Sequence, residues 1–157
     1  MVKLLRIDDR LLHGQVAFAW TKSLGVDAIV VVNDEVVKDP LIKMSIKMAA
    51  PPEVKLAIKS IDDAVKLLEH PKTQDMSIFV VVKNTKDALR LSQKTKTIQH
   101  INVGGIRKEE GKQMLTRAVF INDEDIQRFN KLIEMGIEVE IRQVPTESKK
   151  CICELLK

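Results

Sequence analysis

Apolar positions along the chain change period again and again, from continuous runs to helical spacing. Residues 2–7 predict a first strand. Val16, Ala19, Trp20 and Leu24 then share one face of a helix over 14–24, with Gly25 as its C-terminal cap. Residues 28–32 are a β-branched run of the kind buried on both faces of a sheet. Pro40 sits in the first turn of a helix over 40–50, and Pro51 and Pro52 stop it. A short strand over 54–58 leads to Ser60, which can cap a helix over 61–69. A buried strand over 77–82, a helix over 85–93 and a fifth strand over 100–103 follow, the last ending in Gly104 and Gly105. The charged stretch 106–117 reads as a loop or short hairpin, and 118–121 as a sixth strand. Asn122 caps a helix whose face is Ile126, Phe129, Leu132 and Ile133, and Asp125 lies close to capping-box spacing. Gly136 ends that helix. Residues 137–141 alternate strictly, as in a half-solvated edge strand, and the tail from 148 is at best helical.

Regular βα alternation with apolar strands predicts a three-layer α/β/α fold. Its sheet is open and mainly parallel, with about six strands plus a short antiparallel edge. At 157 residues, with 45% hydrophobic and 31% charged residues, the chain fits a single domain over 1–157. No apolar run approaches a membrane span, and no signal-peptide core opens the chain, which points to the cytoplasm. Net charge is +4, but lysines are scattered, aromatics make up 3% and tyrosine is absent. That composition argues against a nucleic-acid partner. Cys151 and Cys153 are too close for an easy disulfide and lack metal-ligand spacing, so they read as free thiols, with no metal and no cofactor implied.

In such sheets ligands bind beyond the carboxyl ends of the strands. The segment R-I-D-D-R-L-L-H-G-Q-V, residues 6–16, leaves the carboxyl end of the first strand. A helix starting near Gly14 leaves the amides of Gly14, Gln15 and Val16 without intrahelical partners, a natural seat for an oxyanion. Arg10 can fork onto two oxygens of that anion. An acid from the pair Asp8 and Asp9 can hold one nitrogen of His13 and leave the other as nucleophile. These parts suit a histidine that accepts a phosphoryl group, a reaction that depends mainly on positioning and charge. Asn33–Asp34 and Lys83–Asn84–Thr85 also lie at carboxyl ends, where turn and capping roles explain them. Gly104 and Gly105 read as a plain turn. His70 and His100 have no assigned chemistry. Phe18, on the far side of the helix from Trp20, offers a docking surface.

The 6–16 segment resembles the active-site signature of IIB components of the mannose–fructose–sorbose family of the bacterial phosphotransferase system. V-V-N-D-E-V at 31–36, K-M-A-A-P-P at 47–52, I-N-V-G-G at 101–105 and G-I-E-V-E-I-R-Q-V-P at 136–145 resemble further family blocks in the expected order. The resemblance implies that His13 is phosphorylated by a IIA protein or domain and passes the group to a sugar bound by membrane IIC and IID subunits. Arg10 would stabilise the phosphoryl group and Asp8 would support the loop. The family fold sets strand one between strands four and five. Lys83, Asn84, Thr85, Gly104 and Gly105 then come near His13, with Asn84 and Thr85 as phosphate contacts beside Gly14, Gln15 and Val16. With no IIA domain before Met1, the IIA unit belongs to another polypeptide or lies outside this chain. A cytoplasmic protein peripheral to its membrane subunits follows, and self-association into a homo-oligomer is compatible. A basic rim of Arg6, Arg10, Lys83 and Arg107 would speed encounter with a phosphorylated partner. The competing function is a non-catalytic domain of the same fold that senses an anion or phosphorylated metabolite.

Overall fold

The computed structural model describes residues 1–156; Lys157, the last residue of the predicted domain, lies outside them. The parallel strands are β1 (Val2–Asp8), β2 (Ala28–Val32), β3 (Lys55–Lys59), β4 (Ile78–Val82) and β5 (His100–Gly105). The helices between them are α1 (Gly14–Leu24), α2 (Pro40–Ala49), α3 (Ile61–Glu69) and α4 (Thr85–Lys94). A short hairpin, β6 (Gln113–Thr116) and β7 (Val119–Ile121), precedes α5 (Asp123–Glu134). The chain ends with β8 (Glu138–Ile141), β9 (Lys150–Cys151) and the single turn α6 (Ile152–Leu155). Strand order in the main sheet is β3-β2-β4-β1-β5-β8-β9, with β9 alone antiparallel.

Side-chain alternation along the strands creates two cores. Leu4, Ile29, Val31, Phe79 and Val81 face α1 and α2, where Trp20 and Ile46 meet them. Leu5, Ile7, Val30, Val32, Val80, Val82, Ile101 and Val103 face the other helical layer, where Ile61, Leu91, Phe129 and Ile152 close over them. Local signals set the helix ends as expected. Gly25 takes the left-handed conformation at φ 63°, Ser60 accepts from the Asp63 amide, and Asn122 and Asp125 form a reciprocal capping box.

Four expectations need correction. First, residues 118–121 are not in the main sheet. Val119–Ile121 form β7, which pairs with β6 and bridges to Ile106. Between β5 and β7 no helix intervenes, so nothing carries a crossover into a parallel position. Second, β8 supplies the sixth parallel strand instead, and it is not half-solvated: Glu140 is only 1% exposed. The chain beyond β8 returns as β9 and covers its outer edge. Third, Gly104 and Gly105 continue β5 rather than forming a turn. Fourth, Cys151 and Cys153 are paired as a disulfide. Cys151 is extended and Cys153 lies in the following helical turn, which sets their Cα atoms 5.3 Å apart, inside the range such a bond spans.

Buried and exposed apolar side chains differ in what their loss costs. Phe129→Ala should cost about 3–5 kcal/mol, because Phe129 is wholly buried on the α5 side. Met48→Ala on exposed α2 should change stability by less than about 0.5 kcal/mol. Urea unfolding of the two variants checks both.

Candidate active site

β1 is apolar inside except where it carries Arg6 and Asp8, both buried. The loop after it is tightly tied. The Asp9 amide donates to the Gly105 carbonyl at 3.0 Å, and the Leu11 amide donates to the Asp8 carbonyl at 2.8 Å. Leu11 adopts φ 57°, a left-handed conformation uncommon for a side chain of its size, so the loop is strained as well as tethered. Gly14 at the helix entrance has φ 44° with open space around it; its glycine is needed for conformation, not room.

Asp8 is the hub. Its Oδ1 accepts the Arg10 amide at 3.0 Å, and its Oδ2 accepts Arg6 Nη2 at 3.1 Å. The same Oδ2 lies 3.0 Å from Nε2 of His13. Of the two acids left open by the sequence, Asp8 is the one on the imidazole. Asp9 instead binds Arg107 through its amide at 2.7 Å and its Nε at 2.8 Å. The contact from Asp8 leaves Nδ1 of His13 as the free ring nitrogen. The His13 side chain keeps 23% of its surface exposed, so the ring is reachable from solvent.

His13 is also the N-cap of α1, and the first amide to bond back is that of Ala17, which donates to the His13 carbonyl at 3.3 Å. The amides of Gly14, Gln15 and Val16 therefore have no intrahelical acceptor, and Gly14 and Gln15 are exposed. Arg10 is exposed, and among the described residues its guanidinium makes no hydrogen bond or ion pair. Beside this loop an open cleft of about 410 Å³ is lined by Asp8, Arg10 and Val16 from one side. Gly104, Arg107, Lys108 and Arg117 line it from the other. His13 is not itself part of that lining and meets the cleft through Asp8.

Beneath Asp8 lies a buried polar layer that the sequence reading missed. Arg6 Nη1 donates to Asn102 Oδ1 at 2.6 Å and to the Arg142 carbonyl at 3.2 Å. Asn102 Nδ2 reaches both oxygens of Glu140 at 3.3 Å. Arg142 grips the same carboxylate with Nε at 3.1 Å and Nη2 at 2.9 Å, and His100 Nε2 lies 3.2 Å from it. The Trp20 ring sits within cation–π reach of both arginines, 5.3 Å from Arg6 and 5.0 Å from Arg142. Burial lowers the pKa of Arg6 below the ordinary guanidinium value, against the attraction of Asp8. For Glu140 burial works upward, but hydrogen bonds from His100, Arg142 and Asn102 outweigh it and leave the carboxyl below its ordinary 4.5. A usable signal was present: Asn102 is a polar residue amid the apolar strand H-I-N-V-G-G.

Other expected residues lie elsewhere. Arg6 is 3% exposed and cannot belong to a surface rim. Lys83 is exposed at the end of β4, beside β1 in the sheet. Asn84 caps α4 by accepting the Asp87 amide at 2.8 Å, and Thr85 is buried, donating to Asp125 at 2.6 Å. No hydrogen bond joins either residue to 8–16 among the described residues. Asn33 and Asp34 do have capping roles, Asp34 by accepting the Ile61 amide of α3 at 2.9 Å.

Comparison with known proteins places this arrangement. The profile of the PTS system sorbose subfamily IIB component matches residues 2–157. The chain belongs to that family. It is 35% identical to the sorbose-specific EIIB component of Klebsiella pneumoniae over 93% of this chain and 89% of that protein. It is 31% identical to the fructose-specific EIIB component of Bacillus subtilis over 99% and 96%. With the mannose-specific EIIAB component of Escherichia coli K12 identity is 36% over 99% of this chain, which spans 48% of that longer protein. The crystal structure of the IIBSor domain of the Klebsiella pneumoniae sorbose permease superposes with a TM-score of 0.95 at 33% identity, covering 99% and 96% of the two chains. The chain is thus a IIB component of the phosphotransferase system, with phosphotransferase activity in general. No helix among the described residues is long and apolar enough to cross a membrane.

The Glu140 contacts make a testable pH statement. Its folded-state pKa is depressed, so its ionised form favours the folded state above the ordinary 4.5 and that contribution is lost as pH falls through the folded value. Wild-type protein should therefore exceed Glu140→Gln in stability at pH 7, and the gap should narrow by pH 3. Urea unfolding at both pH values measures it.

Proposed function

We propose that His13 accepts a phosphoryl group on Nδ1 from a phosphorylated IIA unit and donates it to a sugar held by membrane IIC and IID subunits. One observation carries this: Asp8 engages Nε2 of His13 and leaves Nδ1 free beside the open end of α1. In the acceptor state the ring proton sits on Nε2 and donates to Asp8, and the lone pair sits on Nδ1. That lone pair attacks phosphorus as the bond from phosphorus to the donor imidazole breaks, and the departing electron pair returns to the donor ring. The His13 ring gains positive charge, which the Asp8 carboxylate offsets. The amides of Gly14, Gln15 and Val16 and the guanidinium of Arg10 stabilise the equatorial oxygens. Transfer to the sugar reverses these roles: a sugar hydroxyl attacks phosphorus, its proton passes to a base of the membrane subunits or to water, and the P–N bond electrons return to Nδ1.

In this reading residues 1–157 act as one cytoplasmic unit that meets its membrane subunits peripherally. The names of the relatives, which include sorbose, fructose and mannose, fit a carrier whose sugar is selected elsewhere in the assembly. The anion-sensing alternative is not favoured, because sensing alone leaves the Asp8–His13 pairing without a role.

Incubation with a phosphorylated IIA protein should give one acid-labile, alkali-stable phosphoryl group per chain. It should be absent in His13→Ala, and label mapped to another residue would overturn the assignment. Arg10→Ala should slow transfer roughly 10²-fold without loss of folding. Arg107→Glu should slow transfer most at low ionic strength, because an exposed charge acts through a screened field. An equal rate for wild type and Arg107→Glu at low salt would remove Arg107 from the docking rim.

A further inference from the structure

We infer that Arg6 is a positioning residue for His13, and that Gly104 is a glycine because the Arg6 guanidinium occupies the space of its missing side chain. The inference rests on His13 as the phosphoryl acceptor. Arg6 touches no reacting atom. It donates to Asp8 Oδ2 at 3.1 Å, the same oxygen that meets His13 Nε2 at 3.0 Å. Where Arg6 holds that oxygen, the imidazole must follow.

The guanidinium is itself held on several sides. Asn102 and the Arg142 carbonyl take Nη1, and Glu140 anchors Asn102 from behind. Trp20 lies 5.3 Å from its carbon. A Cβ on Gly104 would stand 2.1 Å from Arg6 Cζ and 2.3 Å from each Nη, far inside contact distance. Gly104 does not take a left-handed conformation, so what it supplies is room. The neighbouring Gly105 is different: its Cβ would meet Asp8 at an ordinary 3.4 Å.

Stability alone is a poor reason for this design. A buried cation is costly even when paired, and Arg6 Nε is buried with no partner at all. Apolar residues of similar volume often stabilise as well or better. What an apolar layer cannot do is hold the Asp8 carboxylate aimed at the imidazole. With Asp8 fixed, the ring proton stays on Nε2 and the lone pair on Nδ1. If Asp8 swings away, the ring is free to hold its proton on Nδ1, and that tautomer has no lone pair on Nδ1 with which to attack phosphorus.

The test uses three full-length variants: Gly104→Ala, Arg6→Lys and the two combined. The donor is phosphoramidate, which is too small to need a docking surface. Nitrogen NMR of His13 reports which ring atom carries the proton, and thermal melting confirms folding. Gly104→Ala should phosphorylate about 10- to 100-fold more slowly, the scale expected of a displaced reacting group, and should show a larger Nδ1-protonated fraction. Arg6→Lys should do the same. The combined variant should be no slower than Arg6→Lys, since both act through one guanidinium. A folded Gly104→Ala with wild-type rate and wild-type tautomer would overturn the inference, as would losses that multiply in the combined variant. If Gly104→Ala does not fold, Arg6→Lys decides by the same two readings, and unchanged values overturn it. A wild-type protein never labelled on His13 would sink the functional reading, while the tautomer measurement would still judge Arg6.

Discussion

One carboxylate oxygen governs this structure: Oδ2 of Asp8, shared between a buried arginine and the imidazole of His13. Asp8 is almost wholly excluded from water. A carboxylate in that position needs a cation and hydrogen bonds to replace the water it has lost. Arg6 and the Arg10 amide meet those needs on the protein side. Arg6, buried in turn, needs Asn102, and Asn102 needs the Glu140 carboxylate that Arg142 and His100 complete. The polar layer is thus a chain of obligations that starts at His13 and ends at β8, one strand in from the β9 edge.

The sheet order explains why that chain ends in a cleft. β1 lies between β4 and β5. The chain leaving β1 enters α1 on one face, and the chain leaving β5 runs into the β6–β7 hairpin, whose Val119 and Ile121 pack on the other. Adjacent connections that depart to opposite faces open a crevice at the carboxyl ends of the strands. The β6–β7 hairpin then rises past the end of β5 and sets Arg117 across from Arg10. Had residues 118–121 entered the sheet as another strand, no such wall would exist.

What was legible in the sequence follows from how local each cause is. The run at 28–32, the Gly25 cap and the capping box at Asn122 depend on a few neighbouring residues, and they stand where the pattern put them. The loop 8–16 was legible for the same reason, since its amides, charges and histidine are contiguous. Arg6 was not. An arginine in an apolar strand can reach solvent or lie flat inside, and only the pairing of Arg6 with Asn102 across β1 and β5 decides between them. Glu140 looked solvated because alternation describes one strand, while its burial comes from Asn102, His100 and Arg142 on two other segments and from the returning β9. Asn84 and Thr85 share that end of the sheet with His13, the Asn84 Oδ1 accepting the Asp87 amide of α4 and the Thr85 hydroxyl donating to Asp125 of α5.

The arginines of the site divide by depth, and depth sets how they respond to solvent. Arg10 and Arg107 stand in water, where salt weakens their field within about 10 Å and any single ion pair contributes little. Such groups suit encounter with a charged partner and contact with a group that must arrive and leave. Arg6 lies where ions do not penetrate, so its hold on Asp8 is steady against ionic strength. Encounter and chemistry therefore answer to different conditions, although the residues behind them are four positions apart. A carrier that must dock with one partner, release it and dock with another is served by that separation: the surface can be weak and salt-sensitive because the orientation of the imidazole does not depend on it.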